Sequence, residues 1–329
     1  MSWLSSVIGA GGDRYSLDDI EDSLFLTAGD RRAKTSQFWM LLALASIIAA
    51  GGVVGNSTPA VIGAMIVAPL ATPIYGVALG TVTGSRRNLF ASLGLLVAGV
   101  ALNIFLGYLV GLVTVSRIPV DVNPQITGRT APTLLDLGIA ITVGVAGSFA
   151  LVRRDVSNIL AGVAIAISLV PVLAVVGITL GSGRRDLAWG AFVLFLVNAA
   201  AIIVAGVVVF TAAGYERMAR ERGRHPGRRA KVLIALLVIA LVIPLTLQSL
   251  QTLRYERWVG ATDTAAEQWV KGTGWQLEGV QQVGGDIVVK TIGPGAPPPI
   301  GTLRTAVRAH VPQRITVTVV EDSGRTTGL

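Results

Sequence analysis

The chain has 329 residues, of which 52% are hydrophobic. Charged residues make up 14% of it, against about 25% in an ordinary soluble domain, and the segment from Gln37 to Thr211 holds twelve of them, with no Lys and no Glu. This excludes a soluble globular protein and a disordered one, and it predicts an all-α polytopic membrane protein surrounded by the lipid bilayer. The net charge of +8 gathers at the ends of apolar segments, which favours a topological origin over nucleic-acid binding.

The N-terminal segment, residues 1–36, is polar and is expected in the cytoplasm. Leu17, Ile20 and Leu24 fall on one face of a helix, and the acidic residues between positions 18 and 22 fall on the other. We predict an amphipathic helix that packs on the protein's own cytoplasmic surface. Binding to the membrane surface is the alternative, and it is disfavoured because anionic lipids repel an acidic face.

Seven apolar segments follow, and most have or approach the ~20 residues that a helix needs to cross a bilayer. They are Phe38–Gly55, Ala60–Gly84, Leu89–Val115, Thr133–Val152, Ile159–Gly181, Leu187–Ala213 and Val232–Leu250. We divide this region into transmembrane repeat 1 over 37–115, transmembrane repeat 2 over 133–213, a basic cytoplasmic loop over 214–231 and a seventh transmembrane helix over 232–250.

Basic residues at the ends of these segments predict the orientation. With a cytoplasmic N-terminus, fourteen of them lie inside and six outside, in agreement with the excess of Lys and Arg in cytoplasmic loops. Only the pair Arg184 and Arg185 is discordant. The Ala, Gly, Val and Arg bias suggests a bacterium, so we expect a bacterial cytoplasmic membrane with the C-terminus extracytoplasmic.

Residues 251–329 are predicted to form a small soluble α/β domain. Tyr255–Val270 is expected to continue the last helix. The further elements are strands over Trp275–Gln281 and Asp286–Ile292 joined by a Gly284-Gly285 turn, a helix over Thr302–His310 and a strand over Arg314–Val320. The order of these further elements is ββαβ. A unit of this size is only marginally stable alone, so we expect a homo-oligomer.

An internal similarity indicates a duplication. A shift of 98 positions aligns Pro73 with Pro171, Thr81 with Thr179, and Arg86-Arg87 with Arg184-Arg185. Each unit would hold three spans, and because three is odd the second unit would be inverted in the membrane. Such an inverted 3+3 repeat also explains why the second arginine pair lies on the opposite side. Inverted repeats are typical of secondary transporters, but they also occur in channels, and a duplication can persist as a scaffold.

Three polar residues between the first two spans are the first candidates for a substrate pathway, namely Asn56, Ser57 and Thr58. Ser57 or Thr58 is expected to cap the second helix, with Pro59 in its first turn. Two interpretations stay open. The segment is a tight turn at the outer surface, or it is a helix N-terminus directed at an anion or a polar substrate.

Prolines within the spans are the second group of candidates. Pro69 and Pro73 lie in the second span and Pro171 lies in the fifth. A proline kinks a helix and frees a carbonyl, and in lipid that carbonyl must face protein, water or an ion. Kinked helices at corresponding positions of two inverted halves indicate a central site. Kinks that only shape helix packing are the alternative.

Three polar side chains complete the candidates. Asn103 and Asn198 lie deep in the third and sixth spans, where each is expected to bond a neighbouring helix or to line a pathway. Asp136 lies near the start of the fourth span, either as a functional intramembrane acid or at the interface. The chain has no Cys, no metal-ligand spacing and no nucleophile beside a base. We therefore expect no catalytic residues, no cofactor and no metal.

Two stretches carry a family resemblance. Gly55–Gly80 and Leu160–Ile178, together with the Phe195–Asn198 pattern, resemble the family of uncharacterised hydrophobic proteins, domain of unknown function 389. The resemblance covers roughly residues 16–213. It implies a polytopic membrane protein and supplies no catalytic residues. Where the family often has a Pro-Pro pair, this chain has Pro171-Val172.

These features predict a homo-oligomeric membrane protein that acts as a transporter or channel for a small solute or ion, through a site at the kinked second and fifth helices. The alternative is a non-transporting scaffold or sensor that acts through its soluble domain and basic loop. An intramembrane enzyme is disfavoured.

Overall fold

The computed structural model describes residues 14–27, 29–114, 120, 123–130, 133–155, 169–224, 232, 239, 257–283, 286–293, 297–312 and 315–322. The chain divides into two compact units, Met1–Thr246 and Leu247–Leu329. The predicted seventh span and the first part of the predicted fifth span lie outside the described residues, apart from two positions of the seventh. The Gly284-Gly285 turn lies outside them as well.

The described part of the first unit consists of helices. They are α1 (Leu17–Leu24), α2 (Arg31–Val54), α3 (Thr58–Val67), α4 (Ala71–Thr83), α5 (Arg86–Thr114), α6 (Pro124–Thr127), α7 (Leu134–Val152), α8 (Val170–Gly181), α9 (Arg185–Ala212) and α10 (Tyr215–Glu221). Within the described residues, α2, α5, α7 and α9 are long and apolar enough to cross a membrane, and α3 with α4 would make a fifth, bent span. The expectation of membrane-type helices is thus confirmed, whereas the number seven remains a prediction.

The second predicted span is broken at Pro69. α3 ends at Val67, α4 begins at Ala71, and the two helices are bent by 45°. Proline has no N–H, so the carbonyl of Met65 cannot receive its usual helical hydrogen bond from residue 69. The residue before the proline, Ala68, adopts extended angles of −72° and 126°, as expected from its clash with the proline ring.

The half-helices α4 and α8 lie in the interior of the first unit. Eleven of the thirteen residues of α4 and ten of the twelve residues of α8 are buried. Pro73 lies in the first turn of α4, and Pro171 is the second residue of α8, where a proline is tolerated because its missing N–H would be unpaired anyway. Neither proline therefore kinks a described helix, and both lie where a half-helix begins.

The N-terminal helix α1 packs against one end of this bundle, which we call the α1 end. Ser16 caps the helix, and Leu17, Ile20, Leu24 and Phe25 are 3% exposed or less. Its acidic residues pair with basic residues elsewhere in the first unit: Asp18 with Arg222, Asp19 with Arg154, Glu21 with Arg224, and Asp22 with Lys34. The predicted packing of this helix on the protein's own surface is confirmed.

The second unit contains a helix over 257–270 (α11), β1 (Gln276–Val283), β2 (Asp286–Ile292), α12 (Ile300–Arg308) and β3 (Val317–Asp322). β1 pairs with β2 antiparallel and β2 pairs with β3 parallel, so that β2 is central. Its separate core includes Ala266, Trp275, Ile287, Val289 and Leu303. The predicted small C-terminal sheet is confirmed.

Candidate functional site: an unpartnered asparagine between two half-helices

Asn103 lies on the buried stripe of α5. That stripe consists of Ser92, Leu96, Gly99, Asn103, Gly107 and Gly111, spaced three or four residues apart on one helix face. The side chain of Asn103 is 0% exposed, and neither its Nδ2 nor its Oδ1 has a hydrogen-bond partner among the described residues. A buried polar group without a partner is rare and requires an explanation.

The register between α5 and α8 places Asn103 at the beginning of α8. A Cβ added at Gly107 would lie 2.7 Å from the carbonyl oxygen of Ala174, and one at Gly111 would lie 2.5 Å from that of Ile178. The two helices therefore run parallel and in close backbone contact. One turn before Gly107 is Asn103, and one turn before Ala174 is Val170, the first residue of α8.

Contacts one turn before Asn103 approach the beginning of α4. One turn before it on the same stripe is Gly99, where an added Cβ would lie 3.1 Å from Leu70 and 3.1 Å from Leu42. Leu70 directly precedes α4. Asn103 thus lies one helix turn from the contact with Leu70, before α4, and one turn from the contact with Ala174 in α8. We call Asn103 with the starts of these two half-helices the Asn103 junction.

The Asn103 junction offers uncharged polar groups. Neither half-helix has a side-chain cap, since the preceding residues are Leu70 and Leu169. A helix N-terminus carries a partial positive charge, although here Pro73 and Pro171 have no N–H and the N–H of Thr72 donates to the carbonyl of Pro69 at 3.2 Å. The Asn103 amide supplies both a donor and an acceptor. The arrangement can coordinate a small polar molecule or an ion without a protein carboxylate or amine.

The structure does not bring the first hairpin to this junction. Asn56 is exposed in the turn after α2, with a positive φ of 48°. Ser57 caps α3 by accepting from the N–H of Ala60 at 3.4 Å, and the Thr58 hydroxyl accepts from Gln125 at 2.9 Å. Protein groups thus engage Ser57 and Thr58, in agreement with the tight-turn interpretation.

Asp136 and Asn198 have separate environments. The Asp136 carboxylate accepts from the backbone and the hydroxyl of Thr133 at 2.8 and 2.7 Å, which completes a capping box at the start of α7. Asn198 in α9 is 4% exposed, and its Oδ1 has no partner in the described part of the chain. Asn198 therefore resembles Asn103 in being an incompletely paired buried amide, whereas Asp136 has a structural role.

Polar side chains of Asn123 and Gln125 bond residues of the first hairpin, and these contacts were not predicted. Asn123 donates to the carbonyl of Val53 at 2.9 Å and caps α6. Arg129 donates to the backbone and side-chain oxygens of Gln125 at 2.7 and 2.9 Å, and burial lowers the pKa of its guanidinium. The sequence held a signal for this turn, because Asn before Pro124 is a typical helix start.

Comparisons with known proteins agree with the resemblance noted above. The family model described as a domain of unknown function, DUF389, matches residues 65–204. The uncharacterized protein MJ0678 of Methanocaldococcus jannaschii is 31% identical over 228 residues, which cover 68% of this chain and 70% of that protein. No solved structure matches the chain significantly. On this similarity, the chain belongs to the DUF389 family.

Proposed function

We propose that this membrane protein is a transporter or channel for a small solute or ion, and that the Asn103 junction lies on the pathway. The observation that carries the proposal is the fully buried Asn103 amide, which has no partner among the described residues. Leaving such groups unpaired costs about 1–3 kcal/mol each. A passing ligand would supply the partners that the described part of the protein does not.

The inverted repeat that we propose would support a pathway at this position. Under the shift of 98, α4 corresponds to residues 169–181, and the structure has α8 over Val170–Gly181. The Thr81 hydroxyl donates to the carbonyl of Val77 at 2.8 Å, and the aligned Thr179 donates to that of Val175 at 2.7 Å. Half-helices in corresponding positions of inverted halves commonly surround a transport site.

The turns after the two half-helices are alike, although their glycines are one position out of register under the shift of 98. Gly84 and Gly183 follow α4 and α8 and have φ values of 68° and 77°, a conformation that glycine adopts without strain. Each turn leads into a long helix, α5 or α9. These likenesses support a duplication, and a pseudo-two-fold axis in the membrane plane would relate the two triplets.

The proposed topology places the N-terminus in the cytoplasm of a bacterium and the C-terminal unit outside. It rests on the charge asymmetry of the loops and on a seventh span over Val232–Leu250. Protease added to intact cells should cleave within residues 251–329. Protection of this segment would refute the seven-span topology without affecting the assignment of the Asn103 junction.

A flux assay tests the pathway. The full chain, reconstituted in liposomes, would be tested for swelling with glycerol and urea and for KCl flux with a potential-sensitive dye. We expect flux of at least one of these probes above empty liposomes. Asn103→Leu should abolish it and leave the unfolding temperature at or above that of the wild type, because leucine needs no hydrogen-bond partner.

A matched control is Thr142→Val, which removes an exposed hydroxyl on α7 that donates to the carbonyl of Gly138 in the same helix. It should leave flux unchanged. The proposal fails if Asn103→Leu conducts like the wild type, or if no probe crosses faster than in empty liposomes.

A non-transporting scaffold or sensor is the second candidate, and the glycine contacts between α5 and α8 favour it. Backbones this close, as at Gly107 and Gly111, are typical of static helix packing in membranes. A scaffold would show no flux, and removal of residues 251–329 would abolish partner binding in cells without changing the folding of the helical unit.

A further inference from the structure

A groove lies between α2 and α5 at the α1 end of the first unit. Its volume is about 350 Å³, within the range of small-ligand sites. Its walls include Arg31, Thr35 and Trp39 from α2 and Ala91, Leu95 and Ala98 from α5, and the chain over 24–27 closes one end. We call it the α2–α5 groove.

The α2 wall changes from cationic to apolar along the helix. Arg31, Thr35 and Trp39 are four residues apart and share one helix face. A guanidinium, a hydroxyl and an indole thus follow one another away from the α1 end. Tryptophan is enriched at membrane interfaces, where one part of the ring meets water and the other meets acyl chains.

The α5 wall has the same polarity. Arg87 lies outside the lining itself, one turn before Ala91 on the same helix face. Leu95 and Ala98 continue the groove away from the α1 end. Beside the groove, Phe90 is 66% exposed and Val97 is 60% exposed. Apolar side chains this exposed on a membrane-type helix indicate that this side of α5 faces acyl chains.

Within the described part of the chain, two arginines at the groove have no carboxylate in salt-bridge contact. Lys34, Arg154, Arg222 and Arg224 pair with the acidic residues of α1, whereas Arg31 and Arg87 make no ion pair with any described residue. The N-terminus of α5 adds partial positive charge at the same end, whereas the Asp30 carboxylate caps that of α2. A ligand with an anionic head and an apolar tail therefore complements both walls.

We propose that the α2–α5 groove binds one membrane phospholipid with an anionic headgroup. The phosphate contacts Arg31 and Arg87, the glycerol region lies at the level of Thr35, and an acyl chain lies along Trp39, Leu95 and Ala98. The bound lipid fixes the chain over 24–27 against α2 and α5. It would thereby link the lipid composition of the membrane to the docking of α1.

Native mass spectrometry of the full chain in detergent tests this site. The probes are palmitoyl-oleoyl phosphatidylglycerol and the phosphatidylcholine with the same acyl chains. We expect phosphatidylglycerol to bind about fivefold more tightly than phosphatidylcholine. This is the difference expected when one basic residue near the membrane surface attracts an anionic lipid. Arg31→Gln should remove this preference, and the matched control Arg32→Gln, a neighbour outside the groove lining, should keep it. Ala91→Trp should fill the groove and prevent binding of both lipids with all charges intact.

Three results would overturn the proposal. If Arg31→Gln and Arg32→Gln lose the preference for phosphatidylglycerol equally, the lipid is attracted to the basic surface as a whole and not to one site. Unchanged binding in Ala91→Trp would place the lipid outside the groove. Displacement by excess inorganic phosphate would identify a free-phosphate site instead. Retention of the lipid in Asn103→Leu is expected in every case, so the groove and the transport pathway are tested separately.

Discussion

The docking of α1 should depend on its apolar face more than on its ion pairs. Ile20 is 1% exposed, and truncation of a buried isoleucine to alanine costs about 2–5 kcal/mol. Glu21 pairs with Arg224, with side chains 13% and 36% exposed, and partly exposed pairs contribute at most about 1 kcal/mol. Ile20→Ala should therefore weaken docking by about 3 kcal/mol, and Glu21→Gln by about 1 kcal/mol or less.

Hydrogen exchange of the amides over 17–24 in the full chain measures this difference. Since 1.4 kcal/mol is a factor of ten, Ile20→Ala should raise the opening constant of α1 about a hundredfold. Glu21→Gln, at the neighbouring position, should raise it about fivefold or less. In about 1 M KCl, where the Debye length falls to about 3 Å, the wild-type helix should stay docked.

Two outcomes would refute this reasoning. If Glu21→Gln opens α1 as much as Ile20→Ala does, the ion pairs dominate. If high salt alone releases α1 from the wild type, the same conclusion follows. In either case ion pairs would hold α1 in place, and its docking would respond to ionic strength under physiological conditions.

Further expectations concern pH, packing and one buried hydroxyl. Hydrogen bonding from Arg222 lowers the pKa of Asp18, so its stabilising effect is present above the ordinary aspartate pKa and lost as pH falls through the lowered value. Exchange protection of α1 should thus persist from pH 8 to 5 and decline below about pH 4. Gly107→Val should prevent α5 from reaching α8 and yield aggregated protein in size-exclusion chromatography, whereas Gly94→Ala, which meets open space, should elute like the wild type. Tyr75→Phe removes a 3.1 Å bond to the carbonyl of Gly144 and should cost about 1 kcal/mol in chemical denaturation.

The sequence predicted those structural elements that depend on residues close together in the chain. The acidic and apolar faces of α1, the alternation in β3 and the break at Pro69 each follow from a few neighbouring residues. The family was likewise identifiable from contiguous residues, and the comparisons confirmed it.

The position of Asn103 could not be predicted, because it depends on contacts between distant segments. Its sequence neighbours place it deep in a span, but only the approach of Gly107 to Ala174 and of Gly99 to Leu70 puts it between two helix starts. Sequence placed Asn56 in the turn between two spans, where the structure leaves it exposed.

The energetics of Asn103 bear on the choice between the two candidate functions. The amide is enclosed on a stripe of glycine, serine and leucine, where an apolar residue would avoid a penalty of about 1–3 kcal/mol for each unpaired group. A bundle selected only for stability gains nothing from that penalty, whereas a pathway needs a polar group that is free to accept a ligand. A more stable but inactive Asn103→Leu protein would therefore be the trade-off expected of a functional site. A clearly destabilised variant would instead mean that the amide is already paired in the folded protein, and the transport proposal would lose the observation that carries it.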